Sequence, residues 1–123
     1  MDEVKFIPLK KISSEKGSVF HVIKNPDFFI REVYVSTVKK NSVKGWKKHK
    51  EMTLNLTVIK GRVKFNLTKN SNKCEYIIGD HNYGRLVVQP GWWVSFEGID
   101  EENIILNCAD LEHNSEEIEV KAL

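Results

Sequence analysis

Thr53-Leu-Asn-Leu-Thr-Val-Ile-Lys-Gly-Arg-Val-Lys-Phe-Asn-Leu-Thr68 is the stretch that decides the fold. Leu54, Leu56 and Val58 alternate with Thr53, Asn55 and Thr57. After Lys60-Gly61 the chain returns with Val63, Phe65 and Leu67 alternating with Arg62, Lys64 and Asn66. Successive side chains of a strand point to opposite faces, so a period of two marks a half-buried strand. Two such runs joined by a dipeptide containing glycine predict a β-hairpin.

Working outward, Val19 to Ile23, Phe28 to Val38, Cys74 to Ile78, Leu86 to Val88, Trp92 to Phe96 and Ile104 to Cys108 are rich in β-branched and aromatic residues. Turn chemistry separates them at Asn25-Pro26-Asp27, Asn70-Ser71-Asn72, Gly79-Asp80, Gln89-Pro90-Gly91 and Gly98-Ile99-Asp100. No segment carries an apolar stripe of helical period. The expectation is an all-β protein, one domain over residues 1–123, folded as a β-barrel of the jelly-roll kind. The polar tail after Asp110 is expected either to form an edge strand or to trail loosely.

A chain of 123 residues, 41% hydrophobic and 29% charged, has the composition of a globular domain able to bury its own core. Nineteen basic against 17 acidic residues give a net charge of +2, too balanced to point to nucleic acid, and no run approaches the roughly 20 apolar residues of a membrane span. The partner is therefore expected to be neither nucleic acid nor membrane. Cys74 and Cys108 stand alone and far apart, and residues 1–11 carry no leader pattern, so a reduced, cytoplasmic protein is expected. Charge is unevenly placed: Lys39, Lys40, Lys44, Lys47, Lys48 and Lys50 form an acid-free run, which reads as a solvated loop or as a rim attracting a phosphorylated ligand.

Of the four histidines, His49 has the most suggestive context. It shares odd parity with Thr53, Asn55 and Thr57, so an early-starting strand would set it opposite Leu54 and Leu56. That polar row either lines a pocket, with Asn55 as a substrate contact, or faces water. Histidine is the usual general base near neutral pH, its ordinary pKa being about 6.5. Arg62 and Lys64, on the face opposite Val63 and Phe65, are expected either to contact a diphosphate or to be solvated. Trp92, Trp93 and Phe96 read as core or subunit packing, with stacking of Trp93 on a sugar or base as the other reading. No Ser/His/Asp or Cys/His arrangement is legible.

Four stretches carry a family resemblance: Phe29-Ile-Arg-Glu-Val-Tyr34, Val43-Lys-Gly-Trp-Lys-Lys-His-Lys50, Val58-Ile-Lys-Gly-Arg-Val-Lys-Phe65 and Val88-Gln-Pro-Gly-Trp-Trp93. Over roughly residues 28–117 the chain resembles the small sugar-nucleotide cupins, in order and spacing the dTDP-sugar 3,4-ketoisomerases more than the dTDP-4-dehydrorhamnose 3,5-epimerases. The resemblance implies a cupin-type jelly-roll barrel. It also implies an isomerase that removes a proton beside the ketone of a nucleotide-linked 4-keto-6-deoxy sugar in deoxysugar biosynthesis. His49 then falls on the family's base and Tyr34 on a tyrosine that helps move the proton. Lys47 stands where the family pattern has its first histidine and is expected to stabilise the oxyanion, while Arg31, Asn55, Arg62, Lys64 and Trp93 are expected to bind substrate. Many cupins hold a metal through paired histidines; with Lys47 in the first position and Trp92-Trp93-Val94 on the later strand, no metal and no cofactor is expected. The epimerase's tyrosine acid falls on Leu106, and the ketoisomerases' tyrosine-rich tail reads Asp110-Leu-Glu-His-Asn114. An epimerase and a non-catalytic sugar- or nucleotide-binding cupin are therefore the alternatives, and a homodimer is expected.

Overall fold

The computed structural model describes residues 3–122; residues 1, 2 and 123 of the expected domain lie outside it. The strands are β1 Val4–Pro8, β2 Lys11–Ser14, β3 Gly17–Phe20, β4 Glu32–Lys39, β5 Val43–His49, β6 Leu54–Lys60, β7 Arg62–Lys69, β8 Asn72–Gly79, β9 Gly84–Val88, β10 Trp93–Gly98, β11 Glu102–Ala109 and β12 Ile118–Val120. Two five-stranded sheets, ordered β1-β9-β6-β11-β4 and β12-β5-β10-β7-β8, face each other as an antiparallel jelly roll, and β2-β3 forms a separate exposed hairpin. Among the described residues no helix is long and apolar enough to cross a membrane.

The alternation that opened the sequence reading builds the two strands as expected, but not the hairpin. β6 pairs with β9 and β11, whereas β7 pairs with β10 and β8, so Lys60-Gly61 carries the chain from one sheet to the other. Leu54, Leu56 and Val58 therefore meet Val63, Phe65 and Leu67 across the core rather than side by side on one sheet. Periodicity reports which face is apolar, and both arrangements satisfy it. Gly61 turns this corner at φ +78°, where a Cβ would strike the Glu102 carbonyl and Asn103. Asn103, 1% exposed, fastens the corner: its Oδ1 accepts from the Arg62 and Asp100 amides at 2.9 and 3.2 Å, and its Nδ2 donates to the Val38 and Asp100 carbonyls at 3.0 and 2.7 Å. A tight hairpin does join β7 to β8 through Asn70, itself at positive φ.

Phe65, Leu67, Ile78, Leu86, Val58, Val63 and Met52 fill the space between the sheets and are essentially inaccessible. Truncating Phe65 to alanine would cost about 3–5 kcal/mol. Other expectations shift at their edges. The run from Phe28 becomes strand only at Glu32, and the run at Val19 to Ile23 is replaced by β3 ending at Phe20. The acid-free lysine run is no loop: its second half is β5. The polar tail forms an edge strand, β12, beside β5, with Ile118 opposite His49.

Candidate active site

Toward one end of the jelly roll the core gives way to a cavity of about 590 Å³. Its floor is Leu54, Leu56, Val94, Ile105 and Ile118, and its polar wall includes Tyr34, Lys44, Lys47, His49, Asn107 and His113. A bulge shapes this wall. Val94 and Phe96 of β10 stand opposite Lys47 and Lys44 of β5, so β5 spends one extra residue between them. That residue restores Lys44 to the side already occupied by Lys47 and His49. The same bulge leaves Trp46 outside, where the Lys121 ammonium lies over it at 5.7 Å.

His49 is fixed by a residue from the opposite end of the sequence. Its Nδ1–H donates to Glu117 Oε2 at 2.6 Å, which leaves Nε2 as the nitrogen without a partner among the described residues. Glu117, 4% exposed, lies in the 3₁₀ turn Ser115–Glu117 just before β12; its Oε1 accepts the Glu51 and Met52 amides at 3.0 and 2.9 Å. Burial pushes this carboxyl up, but the two amides and His49 outweigh it and hold it below the usual carboxylate range. The result is an imidazole locked in orientation and tautomer by a fixed carboxylate, an arrangement suited to general-base chemistry.

Tyr34 faces the same cavity from β4. Its hydroxyl accepts from Asn107 Nδ2 at 2.9 Å, and among the described residues its own proton has only the Met52 sulfur, 3.8 Å away, as acceptor. Asn107 is in turn held by the Asn55 amide, which donates to its Oδ1 at 2.9 Å. Burial raises the Tyr34 pKa, the bond from Asn107 opposes this, and Glu32 and Glu117 add to the rise. The phenol is therefore a neutral donor at physiological pH. Lys44 and Lys47 reach the cavity without a carboxylate partner among the described residues, Lys44 resting over Phe96 at 5.8 Å. No three His, Cys, Asp or Glu side chains among the described residues converge as metal ligands would.

The three expected catalytic residues, His49, Tyr34 and Lys47, thus come together, while none of the five expected substrate contacts lines the cavity. Arg62 lies outside against Asp100 at 2.7 Å and Lys64 against Glu75 at 3.6 Å. Trp93 points outward beneath the ammonium groups of Lys121 at 4.4 Å and Lys48 at 5.1 Å. Arg31 lies outside over Phe29 at 5.6 Å, its amide tied to the Ala109 carbonyl. Asn55, on the outer face of β6, accepts from Arg85 Nη1 at 2.6 Å. The row Asn55 and Thr57 neither lines the cavity nor faces water: both are buried against neighbouring strands, at 1% and 0% exposure. His49 faces the same cavity as Leu54 and Leu56, not the opposite side, because Lys50 to Thr53 separate β5 from β6 and parity does not carry across that break.

Lys44, Asn107 and His113 line the cavity and Glu117 holds His49; of these the sequence reading had singled out only Lys44, as part of the basic run. For Asn107 a signal exists: it sits in phase with the inward-facing Ile105, a polar side chain in a core row.

A model of the family described as FdtA: WxcM-like, C-terminal matches residues 2–120. None of the curated proteins matches the chain. Among solved structures, the chain is similar to a dTDP sugar isomerase from Desulfovibrio desulfuricans G20, 27% identical with a TM-score of 0.92, over 98% of this chain and 85% of that one. QdtA, a sugar 3,4-ketoisomerase from Thermoanaerobacterium thermosaccharolyticum solved in complex with TDP, is 24% identical with a TM-score of 0.81, over 94% and 85% of the two chains. An RmlC epimerase from Mycobacterium tuberculosis is 12% identical with a TM-score of 0.82, over 95% and 68%. The last two share the fold.

Proposed function

Because the chain belongs to the FdtA (WxcM-like, C-terminal) family, we propose that it is an isomerase of nucleotide-linked 4-keto-6-deoxy sugars, moving the ketone from C4 to C3. The observation that carries this reading is the His49–Glu117 pair at 2.6 Å, set in a sugar-sized cavity beside a neutral tyrosine and two lysines that have no carboxylate partner among the described residues. His49 Nε2 takes the proton from C3. Glu117 stabilises the imidazolium that forms. Charge developing on O4 is met by the Tyr34 hydroxyl and the Lys47 ammonium, the preorganised donors that such a step requires. No metal is needed in this scheme. Lys44, farther along β5, takes the diphosphate, the role the sequence had suggested for Arg62 and Lys64.

The test is a proton NMR time course with dTDP-4-keto-6-deoxyglucose in deuterated water, beside a folded His49→Ala control. Deuterium at C3 with migration of the ketone is the expected result. Exchange at C3 and C5 with an unmoved ketone would make the protein an epimerase, and no exchange above the control would leave a binding protein.

The protein works as a cytoplasmic homodimer in this proposal. Trp92 does not provide its interface, since it is 7% exposed within the core. What supports a second copy is the outer face of the β1-β9-β6-β11-β4 sheet. Val33 and Val35 are there 53% and 56% exposed. A twofold pairing of this face covers the valines. Val35→Lys should give a monomer in analytical ultracentrifugation; an unchanged dimer would place the interface elsewhere.

A further inference from the structure

Moving a ketone from C4 to C3 requires three proton movements, of which His49 can serve two. It removes the proton from C3 and, on the same face, returns one to C4. The third lies between the oxygens: O4 must gain a proton and O3 must lose one. Tyr34 can donate to O4, and the phenolate this leaves, held by the Asn107 amide at 2.9 Å, must regain a proton before the next turnover, so a second group that takes the O3 proton and passes it on would close the cycle.

His113 lies beside it. The connection from β11 to β12 brings its imidazole to the cavity wall, with its ring centroid 6.4 Å from that of Tyr34 and the two planes inclined at 53°. The loop is anchored around it: Glu32 Oε1 accepts the His113 amide at 2.7 Å, Asp110 Oδ1 accepts the Thr53 amide at 2.9 Å, and Asn114 caps the turn that ends at Glu117. Neither ring nitrogen of His113 has a hydrogen-bond partner among the described residues, in contrast to His49, whose Nδ1 is committed to Glu117. His21 and His81 are not on this wall. A neutral imidazole both accepts and donates, which is what the oxygen-to-oxygen step lacks.

Resting on the isomerase reading, we propose that His113 is a second acid–base group, the one that carries the hydroxyl proton of the sugar. In the first half-reaction the C3–H bond breaks, its proton goes to His49, and its electrons form the C3=C4 bond. The C4=O π pair moves onto O4, which takes the Tyr34 proton. In the second half the O3–H bond breaks to His113 and its electrons form C3=O, while the C3=C4 pair takes the proton from His49 onto C4. His113 then returns its proton to Tyr34, and no external acid or base is consumed.

The two half-reactions separate experimentally. With dTDP-4-keto-6-deoxyglucose in deuterated water, His113→Gln should still exchange the C3 proton at close to the parent rate, while ketone migration slows by about 10²-fold or more. Free imidazole should restore part of the migration in His113→Ala, a response that a packing defect would not give. Migration at the parent rate in His113→Gln would overturn the proposal. So would loss of exchange and migration together in a folded variant, which would make His113 a structural or binding residue. A parent protein that exchanges nothing at C3 would overturn the isomerase reading and this relay with it.

Discussion

The cations on the inner and outer faces of the β12-β5-β10-β7-β8 sheet are treated differently. Outside, Lys48 meets Glu119 at 2.7 Å, Arg62 meets Asp100 at 2.7 Å and Lys64 meets Glu75 at 3.6 Å. Inside, Lys44 and Lys47 have no carboxylate partner among the described residues, and the one carboxylate beside them, Glu117, is engaged by two amides and His49. Outside, then, Lys48, Arg62 and Lys64 are met by carboxylates, whereas inside the charge of Lys44 and Lys47 is left for a ligand to neutralise. Under the proposed function, a substrate contact is marked by the absence of a counter-charge on the cavity side, not by basicity alone.

The sharpest way to break this contrast is at its centre. His49→Ala should lower turnover by as much as about 10⁴-fold with an unchanged circular-dichroism spectrum; a small effect would remove the cavity from consideration as the catalytic face. Glu117→Gln keeps the shape but not the charge, and turnover should fall by about 10²-fold. It should also change the acid response. The folded Glu117 carboxyl lies below its unfolded value of about 4.3, so its contribution to stability is present above that pH and is lost as pH falls through the lowered folded value. Melting temperature should therefore drop less steeply below about pH 4 in Glu117→Gln than in the parent.

Smaller effects sharpen the comparison. Lys44→Met should raise KM for the nucleotide sugar about tenfold, the weight of one charge-assisted contact, with little change in kcat and a weakened dependence on salt. Arg62→Gln, on the outer face, should leave KM within about twofold. If Arg62→Gln raised KM as much as Lys44→Met, the distinction between the two faces would fail.

Strand positions and the all-β class were legible because alternation is local: Leu54 to Val58 and Val63 to Leu67 declare their apolar faces within a few residues. Pairing was not, because Lys60-Gly61 suits a hairpin and a corner between sheets equally. His49 and Lys47 came from the pattern around Lys44 to Lys50 and Tyr34 from the stretch Phe29 to Tyr34, both through resemblance to a family, and the fold brings the three to one cavity. The expected substrate contacts lie off the cavity because the polar parity of each strand was taken to be its functional side. In this jelly roll the cavity opens out of the core, so a polar residue of its wall can stand in phase with apolar neighbours, as Asn107 does with Ile105, while His49 faces Leu54 and Leu56 from the other sheet. Glu117 gave no local sign at all: it is one of several acids in an acidic tail, and only the pairing of Ile118 with His49 sets it beside the base.

That pairing bears on how the protein becomes active. Residues 49 and 117 are separated by 68 positions, and bringing the ends of so long a loop together costs about 4 kcal/mol in the length-dependent part of the closure entropy. β12 is a three-residue strand at a sheet edge, with little local propensity to form ahead of the β5 strand it docks on. In a refolding chain the strand signal should therefore return first and turnover last, so that recovered activity, rather than recovered circular dichroism, reports completion of the native state.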